Sequence, residues 1–261
     1  MPSQQRSSSA TTKAVDANGD DAMPFLADKS AKVFVAGHRG MVGSAVHQKL
    51  TALGFTNVVV RTRAELDLAY QPAVQAFFDA ERPRYVILAA AKLLVLASST
   101  IYPEDTPQPM PESALLSGPP AAGSEWYAIP KIAGIKMCQA YRAEFGMDTI
   151  AAAPKNLYGP RDPFPSESSH VIPALIRRFH DAKTTGAAEV AVWGTGAPLR
   201  EFTHVDDLAD AVVVLMDRYS GAEHVNVGSG GEVTARELAE AVREVVGYEG
   251  RVPRDACCCY S

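Results

Sequence analysis

The chain has 261 residues, of which 47% are apolar, and its 25 basic and 30 acidic residues give a formal charge of −5. This length allows one large domain, or one domain with a small lobe. Charges of both signs are interspersed, which excludes a basic nucleic-acid surface, and no apolar run reaches the roughly 18–20 residues that span a bilayer.

Cys138 stands alone, whereas Cys257, Cys258 and Cys259 are consecutive near the end. That is not a disulfide framework, and it implies a reducing, cytoplasmic setting. The triple cysteine has no partner at ligand spacing, so no metal is expected. Residues 1 to about 30 are rich in Ser, Thr, Ala and Asp without hydrophobic periodicity, and they predict a disordered leader. Asp16, Asp20 and Asp21 argue against an organellar transit peptide, which avoids acids.

Order is expected from Lys32. Val33–Ala36 predicts a short buried strand, followed by a helix with Val42, Val46, Leu50 and Leu53 on one face. A strand at Val58–Val60, a helix over Gln71–Ala80 and a buried strand over Tyr85–Ala91 continue the alternation of a parallel, doubly wound sheet. Then the pattern breaks. Lys92 leads at once into a second strand-like run, Leu93–Ser99, although adjacent parallel strands ordinarily need a crossover of a dozen or more residues. A crossover helix is missing after Lys92, unless one long strand replaces both. Beyond a Pro- and Gly-rich loop, a helix is expected over Trp126–Phe145 and a strand over Thr149–Ala153. A helix over Ile172–Ala182 and a strand-like Glu189–Trp193 come next. Asp206 or Asp207 would N-cap a helix running through Met216, and His224–Gly228 predicts a last strand. Thr234 and Glu237 predict a capping box for a helix with Leu238, Val242 and Val245 inward.

Gly37-His38-Arg39-Gly40-Met41-Val42-Gly43 follows a strand and opens a helix. In that context the three glycines serve a tight turn, close backbone approach to a pyrophosphate, and close packing of the helix on the sheet. The next strand ends in Arg61 and Arg63 rather than an acid, which suits the 2′-phosphate of NADP(H). Tyr127 and Lys131 lie four apart on a predicted helix and so share a face, and Ser98 and Ser99 end an earlier strand. These groups can supply a phenol as acid, an ammonium that lowers its pKa, and a hydroxyl that orients a carbonyl.

These stretches resemble the extended short-chain dehydrogenase/reductases, specifically the GDP-L-fucose synthase family. The resemblance rests on VFVAGHRGMVGSAV, RTRAELDL, LAAAK, SSTIYP, YAIPKIAGIKMC, NLYGPRDPF, SHVIPALIRRFH, VWGTGAPLREFTHVDDLADA and HVNVGSG. It implies an α/β fold, a Rossmann-type doubly wound parallel sheet with a smaller C-terminal sugar-nucleotide subdomain. It also implies NADPH-dependent 3,5-epimerisation and 4-reduction of GDP-4-keto-6-deoxy-D-mannose to GDP-L-fucose. On this pattern residues 31–160 form the NADP-binding domain, residues 161–250 a substrate subdomain interleaved with the last Rossmann elements, and residues 251–261 an irregular tail. By the same resemblance Ser98, Tyr127 and Lys131 serve the reduction and His170 the epimerisation. Thr100 stands where the family has an acid/base cysteine. Arg178, Trp193 and Arg200 would hold the GDP-sugar. Cofactor contacts fall on Gly37, His38, Arg39, Gly40, Met41, Val42 and Gly43, and on Arg61, Thr62, Arg63, Ala64, Glu65 and Leu66. Further contacts fall on Ser98, Lys131, Pro154, Lys155, Asn156, Leu157 and His170.

The chain departs from the family at Thr100, at Pro130 between Tyr127 and Lys131, and in an altered C-terminus. It also carries the internal deletion after Lys92, which should bare apolar surface on the Tyr127 helix and weaken the homodimer that the family implies. Two other readings stay open: a catalytically impaired chain that binds only NADP(H) or a partner chain, and a different nucleotide-sugar epimerase or dehydratase.

Overall fold

The computed structural model describes residues 24–87, 92–162, 164, 170–192 and 195–253. The amino-terminal half builds β1 (Val33–Val35), α1 (Met41–Ala52), β2 (Val58–Val60), α2 (Gln71–Glu81), β3 (Tyr85–Ile87) and β4 (Lys92–Leu96). Next come α3 (Glu125–Phe145), β5 (Asp148–Pro154), β6 (Asn156–Tyr158) and α4 (Val171–Thr185). The chain continues with β7 (Leu199–His204), α5 (Val205–Arg218), β8 (Val225–Val227), β9 (Glu232–Thr234) and α6 (Ala235–Val246).

Six parallel strands lie in the order β2-β1-β3-β4-β5-β8. The strand order reverses between β1 and β3, the switch point at which open α/β sheets bind ligands beyond their carboxyl ends. Side chains alternate across the sheet. Val33, Val35, Tyr85, Ile87, Leu94 and Ile150 face α1 and α5 and form the main core. Phe34 and Val86 turn to the other face, against Phe77 and Phe78 of α2, and farther along that face Val95, Ala97, Ala151 and Ala153 meet Ile132 and Ile135 of α3. This is the doubly wound sheet expected. A second, three-stranded sheet, β6-β7-β9, and a cluster between α4 and α6 form the remaining lobe.

β3 and β4 are separate parallel neighbours, with Tyr85 opposite Lys92 and Val86 opposite Leu93. Only residues 88–91 lie between them in sequence, too few for a crossover helix. The short overlap makes the connection possible. From Ile87 to Lys92 the chain steps back two residues and across one strand, about 8 Å, whereas five residues can reach about 17 Å. One face of α3 is correspondingly bare: Trp126 is 84% exposed, and Ile129, Met137, Tyr141 and Phe145 are exposed with it.

Several boundaries need correction. Residues 1–23 lie outside the described residues, but the leader does not extend to residue 30. Phe25 is only 2% exposed, with its ring centroid 4.8 Å from those of both Phe55 and Tyr85. The Leu26 N–H donates to Asp217 Oδ1 at 2.9 Å. One aromatic plug carries no period, so periodicity could not reveal it. α5 is capped by His204, whose Nδ1 accepts from the Asp206 N–H at 3.3 Å, and Asp206 and Asp207 fall inside its first turn. Glu189 makes an isolated bridge to Arg251, so no strand forms among the described residues 189–192, and the irregular tail begins later than residue 251. Residues 254–261, with the triple cysteine, lie outside the described residues. The Thr234–Glu237 capping box is present on α6, but Val245 points outward, 88% exposed, while Ala239 and Val242 are buried.

Between Pro103 and β8 runs a buried polar network: the Tyr102 hydroxyl lies 2.7 Å from His224 Nε2 and 2.6 Å from Asn226 Oδ1. Burial holds the His224 imidazole below its usual pKa; Glu112 and Glu223 oppose this and Lys136 adds to it. The folded state therefore takes up this proton less readily than the unfolded chain does. His224's share of stability should decline as pH falls through about 6.5 towards its lower folded value. Thermal unfolding across pH 5–8 should show a flatter profile in His224→Gln than in the parent. Phe25→Ala should cost about 3–5 kcal/mol in urea unfolding, whereas a dispensable leader would leave the midpoint unchanged.

Candidate active site

The glycine turn stands at the carboxyl end of β1. Gly37 adopts φ +67°, and a Cβ on Gly43 would lie 2.2 Å from the Gly37 carbonyl oxygen. Only glycine therefore lets α1 start this close to the strand. Gly40 is the N-cap of α1 and supplies no side-chain cap, and the first turn carries no acid. The helix thus presents free N–H groups and the positive end of its dipole to an anion. His38 Nδ1, in the same turn, is buried without a hydrogen-bond partner among the described residues.

At the end of β2 the arginines divide. Arg61 Nη2 is ion-paired with Glu81 at 2.5 Å, and its guanidinium lies 5.4 Å over the Phe77 ring. It is committed to α2 rather than open to a ligand. Arg63 is 88% exposed in its side chain, with only a 3.8 Å approach to Asp67. Glu65 accepts from both the Thr62 N–H and its hydroxyl, at 2.7 and 2.8 Å. These bonds hold its carboxyl below the usual range, with help from the charges of Arg61 and Arg39. The Thr62–Leu66 turn is therefore folded on itself, leaving Arg39 and Arg63 as its exposed cations.

Two strands from β1 along the same edge, just past β4, Ser98 caps a single 3-10 turn, Ser99–Ile101, and its Oγ accepts from the Thr100 N–H at 3.4 Å. Thr100 Oγ1 is buried without a partner among the described residues. Lys131 Nζ donates to the Leu96 carbonyl at 3.0 Å and sits 5.5 Å from the Tyr127 ring centroid. Burial lowers the Lys131 pKa. Tyr127 remains 55% exposed. The pair thus comes together one helical turn apart, held against the end of β4 two residues ahead of Ser98, at the carboxyl edge that also holds the glycine turn. β1 and β4 are two strand spacings apart, about 10 Å, a distance that an extended dinucleotide bridges.

Pro130 is the sixth residue of α3, and the helix runs through it. Having no N–H, it leaves the Trp126 carbonyl without its helical donor. Lys131, the next residue, nevertheless reaches the Leu96 carbonyl at the end of β4.

Past β5, the Lys155 N–H donates to the Val227 carbonyl at 3.0 Å, and Asn156 Nδ2 to the Glu201 carbonyl at 2.9 Å. Pro154 and Leu157 flank them on β5 and β6. His170 is the exposed N-cap of α4 and makes no side-chain cap bond. The sequence did not single out Asp162. It is 6% exposed, and neither carboxylate oxygen has a partner among the described residues. Burial pushes its pKa up, and the charge of His170 works against that rise. Its only sequence signal is membership of the NLYGPRD stretch. Arg178 Nη1 donates to the Ala191 carbonyl at 3.1 Å, and Arg200 is exposed on β7 with Nη1 on its neighbour's carbonyl at 3.2 Å. Trp193 lies outside the described residues.

A family model described as the NAD dependent epimerase/dehydratase family matches residues 33–93 and 90–228, in two pieces that meet where the crossover is missing. The putative GDP-L-fucose synthase 2 of Oryza sativa subsp. japonica is 71% identical over 297 residues, covering 98% of this chain and 86% of that protein. Since 297 matched positions exceed this chain's 261 residues, at least 36 of them have no counterpart here. The GDP-L-fucose synthase of Escherichia coli (strain K12) is 44% identical over 270 residues, covering 86% of this chain and 84% of that one. MlghC, a GDP-mannoheptose C4 reductase from Campylobacter jejuni solved with NADP bound, superposes with a TM-score of 0.78 at 32% identity, over 86% of this chain and 87% of that one. The chain belongs to the NAD dependent epimerase/dehydratase family, on its GDP-L-fucose synthase branch.

Proposed function

We propose that the chain converts GDP-4-keto-6-deoxy-D-mannose to GDP-L-fucose by 3,5-epimerisation and NADPH-dependent 4-reduction. The observation that carries this reading is the fixing of Lys131 between the Tyr127 ring and the carbonyl of Leu96, two residues ahead of Ser98 in the chain. The relatives' names supply the sugar nucleotide.

The residues present fit the cofactor. The cradle made by Gly37 and Gly43 admits a diphosphate against the uncapped start of α1. The exposed Arg39 and Arg63 are suited to the 2′-phosphate, and Arg61 braces the loop through Glu81. Bound NADPH supplies the hydride for C4. Tyr127 gives its phenolic proton to the C4 oxygen, the Lys131 ammonium stabilises the phenolate left behind, and the Ser98 hydroxyl orients the carbonyl. Burial lowers the Lys131 pKa, and the negative charge of a dinucleotide's phosphates would oppose that shift and help keep the ammonium beside Tyr127.

Epimerisation uses the acidity that the C4 ketone confers on the protons at C3 and C5. His170, whose imidazole can both give and take a proton, is the group assigned to moving them. Thr100 offers its unpartnered hydroxyl as a hydrogen-bond donor, but it cannot ionise near neutrality as a thiol does. Arg178, Arg200 and Trp193 are the residues assigned to the GDP moiety. The unpaired, buried Cys138 suits a reducing, cytoplasmic setting, and no helix among the described residues is long and apolar enough to cross a membrane.

Purified chain should oxidise NADPH in the presence of the keto-sugar; cofactor binding without turnover would overturn the reading. Tyr127→Phe should lower reduction about 10²–10⁴-fold while deuterium from D2O still enters C3 and C5 of the keto-sugar. Thr100→Cys should accelerate that deuterium uptake, and equal uptake in the two proteins removes the role given to position 100. Gly43→Ala should weaken NADPH binding by more than about tenfold in calorimetry, with the far-ultraviolet spectrum unchanged.

A further inference from the structure

Tyr102 ends the 3-10 turn that carries Ser98 and Thr100, and it is 3% exposed. The turn's own hydrogen bonds are long. The Ile101 N–H reaches the Ser98 carbonyl at 3.2 Å and the Tyr102 N–H the Ser99 carbonyl at 3.4 Å, while the Thr100 N–H reaches Ser98 Oγ at 3.4 Å. By contrast, the Tyr102 hydroxyl makes two short bonds, at 2.7 and 2.6 Å, to His224 and Asn226. His224 lies just before β8, 4% exposed, and Asn226 within it, paired in register with Ala153 of β5. The turn is therefore fixed less by its internal bonds than by this distant attachment.

Counting donors fixes the direction of each bond. Asn226 Nδ2 donates to the Met110 carbonyl at 2.9 Å, so its Oδ1 is the atom turned to Tyr102. The Asn226 N–H donates to Glu112 Oε1 at 3.0 Å, which holds the strand end in place. Tyr102 has one proton and gives it to Asn226 Oδ1. His224 must then donate its Nε2–H to the phenolic oxygen.

We propose that Tyr102, His224 and Asn226 form a positioning clasp that sets the Ser98–Thr100 turn at the reacting carbonyl, with His224 held as the Nε2–H donor. The catalytic part of this rests on the function proposed above. The clasp touches neither substrate nor cofactor. It acts through the Ser98 turn, by joining that turn to the edge strand across β5.

The test compares Tyr102→Phe, His224→Leu and His224→Gln with the parent chain. Glutamine places an amide N–H where the imidazole Nε2–H stood. Hydrogen exchange at the amides of Thr100, Ile101 and Tyr102 should speed up about ten- to a hundredfold in Tyr102→Phe and His224→Leu, with β5 amides unchanged. His224→Gln should recover most of that protection. In the same two variants kcat should fall about tenfold or more, with NADPH affinity kept. The isotope effect with NADPH deuterated at the transferred position should rise, because hydride transfer has become slower; a fold merely weakened would not raise it. Parent-like exchange in Tyr102→Phe overturns the clasp. Faster exchange with unchanged kcat and isotope effect overturns its positioning role, and His224→Gln behaving like His224→Leu overturns the donor assignment. A parent chain without turnover defeats the proposed function and the positioning role with it, while the exchange measurements still decide the clasp.

Discussion

The bond from Lys131 Nζ to the Leu96 carbonyl joins the long helix α3 to the last residue of β4. It sets the depth at which α3 crosses the sheet edge, and thereby the heights of Tyr127 and of the Ser98 turn that begins two residues after Leu96. The bond draws a cation into a half-buried place, which is why its pKa falls. Ile132 and Ile135, next along the helix, pack on Ala97, Ala151 and Ala153 and keep α3 against the strands. The small side chains of β5 are part of the same arrangement, because alanines at 151 and 153 let α3 lie close to the sheet.

Much of this was legible in the chain itself. Periodicity gave α1, α2, β1, β2, β5 and β8 to within a residue or two, because β1 and β5 are buried on both faces and read as unbroken apolar runs. The run expected over Leu93–Ser99, by contrast, ends as β4 at Leu96, and residues 88–91 of the run expected over Tyr85–Ala91 lie outside the described residues. The glycine turn was legible for a sharper reason: spacing fixed Gly43 where a Cβ has no room beside Gly37. β6, β7 and β9 were not read as strands. They are short, and Leu199–His204 sets its two apolar residues three apart, without the strict alternation that marks a half-buried strand. Val245 was placed inward because it continues the spacing of Leu238 and Val242, yet α4 covers only the Ala239–Val242 side of α6.

The site was legible as residue types and not as commitments. Arg61 and Arg63 look equivalent in sequence, and only packing shows that Glu81 and Phe77 have claimed the first. Asp162 carried no signal of its own, because burial without a partner is a property of the folded chain. Tyr102 lies more than 100 residues ahead of His224 and Asn226, on the other side of the Tyr127 helix, and only the sheet order brings it within hydrogen-bond distance of them.

The direct passage from β3 to β4 also bears on how the sheet assembles. Tyr85 and Lys92 meet across seven residues of chain, whereas β4 meets β5 across 56, from Lys92 to Asp148, and β1 meets β3 across 52, from Val33 to Tyr85. Closing so small a loop forfeits far less chain entropy than closing the others. The central pair of an otherwise non-local sheet thus becomes its most local contact, and such contacts form early. In this chain the middle of the sheet can serve as a template before α3 is in place, an order of events that a helical crossover between the same strands would not favour.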